Sequence, residues 1–216
     1  MERAIIHFPS GGLTLEGIKD DQPGDCAVLI AHPHSLYGGT MHNDVVKTVA
    51  HAYHAVGFAT LRFNFRGVEG SEGNYDEGIG EQEDVKGGLE YLLNLGKRDI
   101  HLAGYSFGAG VIAMGIEKYD RASRVILISP PVNLMSFDML KGSDKVDLVI
   151  VGEQDSLADA ETIRSLLPLW NREARFRMIP ETDHFFSGQR EALEDSLRNV
   201  LEQLGEEPYG HHDGNA

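Results

Sequence analysis

Two short apolar runs limit what this chain can fold into more than any other feature. Cys26–Ala31 (C-A-V-L-I-A) and residues 146–151 (V-D-L-V-I-V) are nearly continuous in apolar character, not alternating. A strand with that pattern has both of its faces covered. Between such runs a helical period recurs. Val45, Val49, Ala52 and Val56 share one face, with Gly57 where a helix stop belongs. Val85, Leu89 and Leu92 repeat the pattern before Gly96, and Leu193, Leu197, Val200, Leu201 and Leu204 repeat it before Gly205. Ile163, Leu166, Leu167 and Trp170 form another helical face, which Pro168 is expected to cut short. Strands are also expected at residues 58–63, 100–103, 124–129 and 176–179. Near the N-terminus, residues 4–8 and 13–17 flank Gly11-Gly12 and read as a β-hairpin. Strands alternating with helices at this spacing imply βαβ units: an α/β fold with a mostly parallel sheet, an N-terminal β-hairpin and helices on both faces.

Length and composition narrow the class. The 216 residues, 41% apolar and 25% charged, suit one globular domain, expected to span 1–205 and to be followed by a flexible tail at 206–216. No apolar run approaches the ~18 residues of a membrane helix, and the N-terminus does not read as a secretory signal. One cysteine, Cys26, builds no disulfide framework and points to a reducing, cytoplasmic setting. A net charge of −15 opposes nucleic acid as a partner. It also disfavours strongly anionic substrates unless Arg66 offers a local cation. Glu81, Glu83, Glu191 and Glu194 are expected on solvated helix faces. No cofactor and no membrane partner are expected; a homo-oligomer is allowed.

The most specific motif is Gly104-Tyr105-Ser106-Phe107-Gly108, a G-x-S-x-G between an apolar strand and a small-residue helix. A strand, a sharp turn and a helix at this point set the serine oxygen at the carboxyl edge of the sheet. The Phe107 amide, at the helix start, then points where an oxyanion forms. A serine that merely caps a βα turn is the plainer reading. The overlapping G-x-G-x-x-A of residues 108–113 resembles a dinucleotide fingerprint, yet the next strand ends Ile128-Ser129-Pro130-Pro131 without the carboxylate that ribose needs. The glycine-rich stretch 67–73 carries two glutamates and no following lysine, which argues against a phosphate cradle.

A serine needs a base, and the base needs a carboxylate to set its tautomer. Asp155 follows the buried run at 146–151, and His184 follows the last strand, so both are expected at the same sheet edge as Ser106. Asp159 is the alternative acid, though it also suits a helix cap. Asp183 is expected in solvent. After the third strand, His32-Pro33-His34-Ser35-Leu36 is expected to supply a second oxyanion donor from its backbone, with His34 preferred and Ser35 or Leu36 as alternatives. His32, His34 and His42 raise a metal alternative, weakened by their irregular spacing and the lack of nearby cysteines. The stretch between residues 129 and 146 has room for a loop and a helical turn but not for a lid. Met135, Phe137 and Met139 within it suit either a cavity wall or core packing.

With these residues in view, the sequence resembles the α/β-hydrolase superfamily, in particular a small, lid-less bacterial group similar to dienelactone hydrolases. The resemblance spans residues 4–204 and rests on the H-P-H loop with Tyr37-Gly38-Gly39-Thr40, on N-F-R-G-V at 64–68, on G-Y-S-F-G and on D-H-F-F at 183–186. It implies the α/β-hydrolase fold with no cap domain and a triad of Ser106, Asp155 and His184, in the chain order usual for that fold. Two positions depart from the group: Ser35 stands where a proline is common, and Glu69 where a glycine is. Since glutamate adopts a positive φ only at a cost, Gly70 is expected to carry that turn. The function implied is hydrolysis of small carboxylic esters through an acyl-serine. A thioesterase or acyltransferase using the same residues, and a non-catalytic binding module, are the alternatives.

Overall fold

The computed structural model describes residues 3–206, which form one eight-stranded sheet flanked by five helices. The strands are β1 (Arg3–Ser10), β2 (Leu13–Asp20), β3 (Cys26–Ala31), β4 (Ala59–Phe63), β5 (Asp99–Tyr105), β6 (Arg124–Ile128), β7 (Val146–Gly152) and β8 (Arg175–Ile179). The helices are α1 (Asp44–Ala55), α2 (Glu81–Asn94), α3 (Phe107–Met114), α4 (Ala160–Trp170) and α5 (Arg190–Glu206). The order across the sheet is β1-β2-β4-β3-β5-β6-β7-β8. β1 and β2 form the expected hairpin over Gly11-Gly12, and β2 pairs antiparallel with β4; every other pairing is parallel.

Alternate residues of the central strands serve opposite faces, as a period of two demands. Val28 and Ile30, with Ile126 and Ile128, pack under α1 and α5. Leu29 and Ala31, with Leu127 and Val149, pack under α2, α3 and α4. The apolar runs are apolar at successive positions because both layers exist. No helix among the described residues is long and apolar enough to cross a membrane.

Two helix ends differ from expectation. Pro168 lies inside α4 and does not shorten it. Proline in a last turn forfeits one bond, here to Arg164, while Leu167 and Trp170 remain buried and the Asn171 amide closes the helix on the Leu167 carbonyl at 3.0 Å. α5 continues through Gly205 to Glu206, so Gly205 is not a stop. One glycine costs a helix about 1 kcal/mol, which the buried row from Leu193 to Leu204 outweighs. Apart from Glu206, the expected tail lies outside the described residues.

The stretch after β6 makes a single helical turn at Asp138–Leu140 and no lid. Its apolar residues part ways, and Met139, exposed, belongs neither to the cavity wall nor to the core. Phe137 is core, its ring 5.7 Å from Trp170, whereas Met135 reaches the cavity described below.

Chain order places the important crevice. After β3 the chain crosses to β4 on one side, and after β4 it crosses back to β5 on the other. The loops leaving β3 and β5 therefore diverge, and a crevice opens between them at the carboxyl edge. His32 lies at this point, fully buried. Its Nδ1 is 2.6 Å from the Pro33 carbonyl, and its Nε2 accepts the Phe65 amide at 3.0 Å. Burial pushes its pKa down to about 4, against the opposing pull of the Pro33 carbonyl. Burial also lowers His101, beside the Tyr53 hydroxyl, to about 4, although Asp99 favours its charged form.

Unfolded histidine titrates near pH ~6.5. Between that pH and about 4 the unfolded chain thus binds protons that these two buried rings refuse. The stability held by the neutral rings is complete above pH ~6.5 and declines as pH falls through that window, by on the order of 3 kcal/mol for each. Urea unfolding at pH 7, 5.5 and 4 reads this as a falling midpoint.

Candidate active site

Ser106 sits at the turn from β5 into α3 with φ 54° and ψ −118°, a backbone conformation that non-glycine residues rarely adopt. Its amide donates to the Ile128 carbonyl at 2.9 Å, which ties the turn to β6. The flanking glycines are required by contact. A Cβ on Gly104 would lie 2.6 Å from the backbone of Gly108 and Ala109, and one on Gly108 would lie 2.5 Å from the Ala31 carbonyl oxygen. The G-x-S-x-G spacing thus lets α3 press onto β3 and β5 while the serine is thrust out.

Asp155 and His184 arrive at the same edge. The registers pair Tyr105 with Ile128, Ile128 with Ile150, and Gly152 with Ile179, so the strand ends are level. His184 Nε2 is 2.9 Å from Ser106 Oγ, and its Nδ1 is 3.0 and 2.9 Å from the two Asp155 oxygens. A carboxylate only accepts, so Nδ1 carries the proton and Nε2 faces the serine hydroxyl as an acceptor. Asp155 Oδ1 also accepts the Leu157 and Ala158 amides at 2.9 and 2.8 Å. Burial opposes ionisation of Asp155, but the His184 hydrogen bond and the Ala158 amide work against it, and the carboxyl is held below its ordinary range. The Tyr105 hydroxyl donates to the His184 carbonyl at 3.0 Å and fixes the histidine loop.

The alternatives have other work. Asp159 caps α4, accepting the Thr162 amide at 2.8 Å. Asp183 is half-buried, and its Oδ1 accepts the Phe185 and Ser187 amides at 3.0 and 3.2 Å. Among the described residues no three His, Cys, Asp or Glu side chains gather as metal ligands. The three histidines after β3 each have a different partner; His42 lies 3.7 Å from Glu69.

His34 has a fixed proton order. Its Nδ1 accepts the Leu36 amide at 3.3 Å, so the hydrogen resides on Nε2, which donates to the Tyr75 hydroxyl 3.1 Å away. The Leu36 amide is therefore committed. The His34 ring packs 4.7 Å from Phe107, 4.8 Å from Tyr37 and 5.1 Å from Tyr75. These rings form one wall of a cavity of about 720 Å³ that contains Ser106 and His184. Leu134 and Phe185, 68% and 66% exposed, stand among its other walls.

Two expectations about the neighbouring loop are corrected. Glu69 itself takes the left-handed turn, at φ 47°, and Gly70 does not. The Asn64 side-chain amide donates to Glu69 Oε2 at 2.6 Å, which offsets the backbone cost. Gly70 serves instead to admit Glu16, whose Oε2 would lie 2.5 Å from an added Cβ. Glu81 is not on a solvated face. It is fully buried and accepts the Asp76 and Gly78 amides at 2.9 and 2.8 Å. Asp84, also fully buried, holds Arg66 through Nε and Nη2, the latter at 2.8 Å, and accepts Ser10 Oγ at 2.7 Å. These two carboxylates pin residues 66–80, the segment that brings Tyr75 and Glu77 to the cavity. Nothing in a glycine-rich, polar stretch announces that role, because it depends on contacts with α2.

The chain belongs to the alpha/beta hydrolase family, whose sequence model matches residues 28–211. It is similar to an alpha-beta serine hydrolase homologue from Coxiella burnetii, at 33% identity over 93% of this chain and 97% of the other, with TM-score 0.83. A Xanthomonas campestris structure, described as an a/b serine hydrolase without lid, is 29% identical over 94% of this chain and 95% of that one, also with TM-score 0.83. An uncharacterised protein of Rickettsia prowazekii is 29% identical over 98% of this chain and 93% of its own length.

Replacing Asp84 with alanine strands the guanidinium of Arg66, whose side chain is only 13% exposed. The expected loss is about 3–5 kcal/mol in urea unfolding, with lower activity as the Tyr75 segment loosens.

Proposed function

We propose that this chain hydrolyses small carboxylic esters through an acyl-serine intermediate. The observation that carries the reading is the line from Asp155 through His184 to Ser106, with both histidine nitrogens in hydrogen-bond contact. In the proposed sequence the Ser106 oxygen attacks the ester carbonyl and its proton passes to His184 Nε2. The imidazolium that forms is stabilised by Asp155. The backbone amides of Phe107 and His34 receive the oxyanion. Phe107 is the first residue of α3, where an amide has no acceptor within the helix. Collapse of the tetrahedral intermediate expels the alcohol with the proton from His184. Water then repeats the sequence and frees the acid. The absence of a lid between β6 and β7 supports small, water-accessible esters as substrates, and the description of the Xanthomonas campestris structure as a serine hydrolase without lid is consistent with this.

The test pairs a fluorophosphonate probe with p-nitrophenyl acetate. Wild type is expected to be labelled and to turn over the ester, while Ser106→Ala loses labelling and at least ~10³-fold of its rate. Hydrolysis that survives Ser106→Ala relocates the chemistry. Between the two acids, Asp155→Asn is expected to lose on the order of 10⁴ in kcat and Asp159→Asn almost nothing; the reverse order overturns the assignment of Asp155.

A further inference from the structure

The cavity around Ser106 has a one-sided charge. Among the described residues that line it, Glu77 is the only Asp, Glu, Lys or Arg. No cationic side chain is paired with Glu77 among the described ion pairs. Arg66, the cation considered above for an anionic substrate, is committed to Asp84 and forms no part of the wall. His34 supplies no charge either. Its Nδ1 accepts a backbone amide, which an imidazolium cannot do, and burial further disfavours its protonated form despite Glu81 nearby.

The surroundings of Glu77 are aromatic. Tyr37 and Tyr75 line the same cavity, and Tyr37 is 86% exposed. The Tyr37 and Tyr75 rings flank the His34 imidazole, their centroids 4.8 and 5.1 Å from it, and both line the cavity that Glu77 lines. A carboxylate beside exposed π faces attracts an organic cation and repels an anion. The net charge of −15 extends that preference to the approach from solution.

Building on the esterase reading, we propose that the preferred substrates are cationic esters, whose ammonium group rests between Glu77 and the rings of Tyr37 and Tyr75 while Ser106 attacks the carbonyl. No additional chemistry is needed; the cation contributes orientation and affinity.

Matched esters test this. Acetylcholine is compared with 3,3-dimethylbutyl acetate, which replaces the ammonium by a neutral carbon. Ethyl 4-(trimethylammonio)butanoate is compared with ethyl 5,5-dimethylhexanoate, which moves the cation to the acyl side. In at least one pair kcat/KM is expected to favour the cation about tenfold. That ratio should fall toward one in Glu77→Gln and also on raising the salt from 0.02 to 0.5 M. Equal or inverted preference in both pairs overturns the proposal, as does a preference that Glu77→Gln leaves intact. p-Nitrophenyl acetate, assayed with the same preparation, separates the two readings. Its turnover without cation preference removes only this proposal, whereas no turnover of any ester removes both.

Discussion

Ser106 holds a backbone conformation that the rest of the sheet must enforce. A non-glycine residue at φ 54° costs roughly 1–3 kcal/mol, and nothing local returns that energy. The enforcement is tertiary. β5 lies between β3 and β6, α3 packs on it with no Cβ between at Gly104 or Gly108, and the Ser106 amide is tied to Ile128. Were either glycine larger, α3 would lift from Ala31 and the 2.9 Å approach of Ser106 to His184 would open. The level strand ends matter for the same reason. Asp155 and His184 belong to loops after β7 and β8, and only the parallel register brings those loops beside the elbow.

Buried carboxylates play the corresponding role on the other side of the cavity. Glu81 and Asp84 lie in the first turn of α2, where the helix dipole favours negative charge. Their oxygens accept from the segment that precedes the helix as well as from Arg66. The cost of burying two charges is offset by several charge-assisted bonds, and the segment of residues 66–80 thereby gains a defined path despite its many glycines. The same arrangement has an electrostatic consequence. By engaging Arg66, Asp84 withdraws a cation from the service of any anionic substrate, and Glu77 is left to set the sign of the cavity.

Most of the scaffold was legible because its signals agree. β3 and β7 are apolar at successive positions since helices cover both faces, and Gly57 and Gly96 end their helices at positive φ. The three residues Ser106, Asp155 and His184 were legible as a set because each directly follows a strand signal. The misreadings share a cause, which is that a local rule worth one to a few kcal/mol (roughly) was set against burial. Pro168 and Gly205 weaken a helix less than the buried faces of α4 and α5 secure it. Glu69 accepts a positive φ because Asn64 holds its carboxylate. Glu81 looks like a surface residue on a helix, and it becomes a buried anchor only because residues 76–78 fold over it.

By itself, then, the sequence determined the α/β architecture, the elbow and the order of the three residues that meet there, because strand periodicity and glycine contacts are encoded within a few neighbouring positions. The tertiary structure decided what surrounds them. It committed the Leu36 amide to His34, turned Tyr37 and Tyr75 to the cavity, locked Arg66 on Asp84 and left Glu77 as the charge on the wall. Those outcomes rest on contacts between segments far apart in the chain, where a side chain's partner depends on the path of the backbone and not on its own neighbours in sequence.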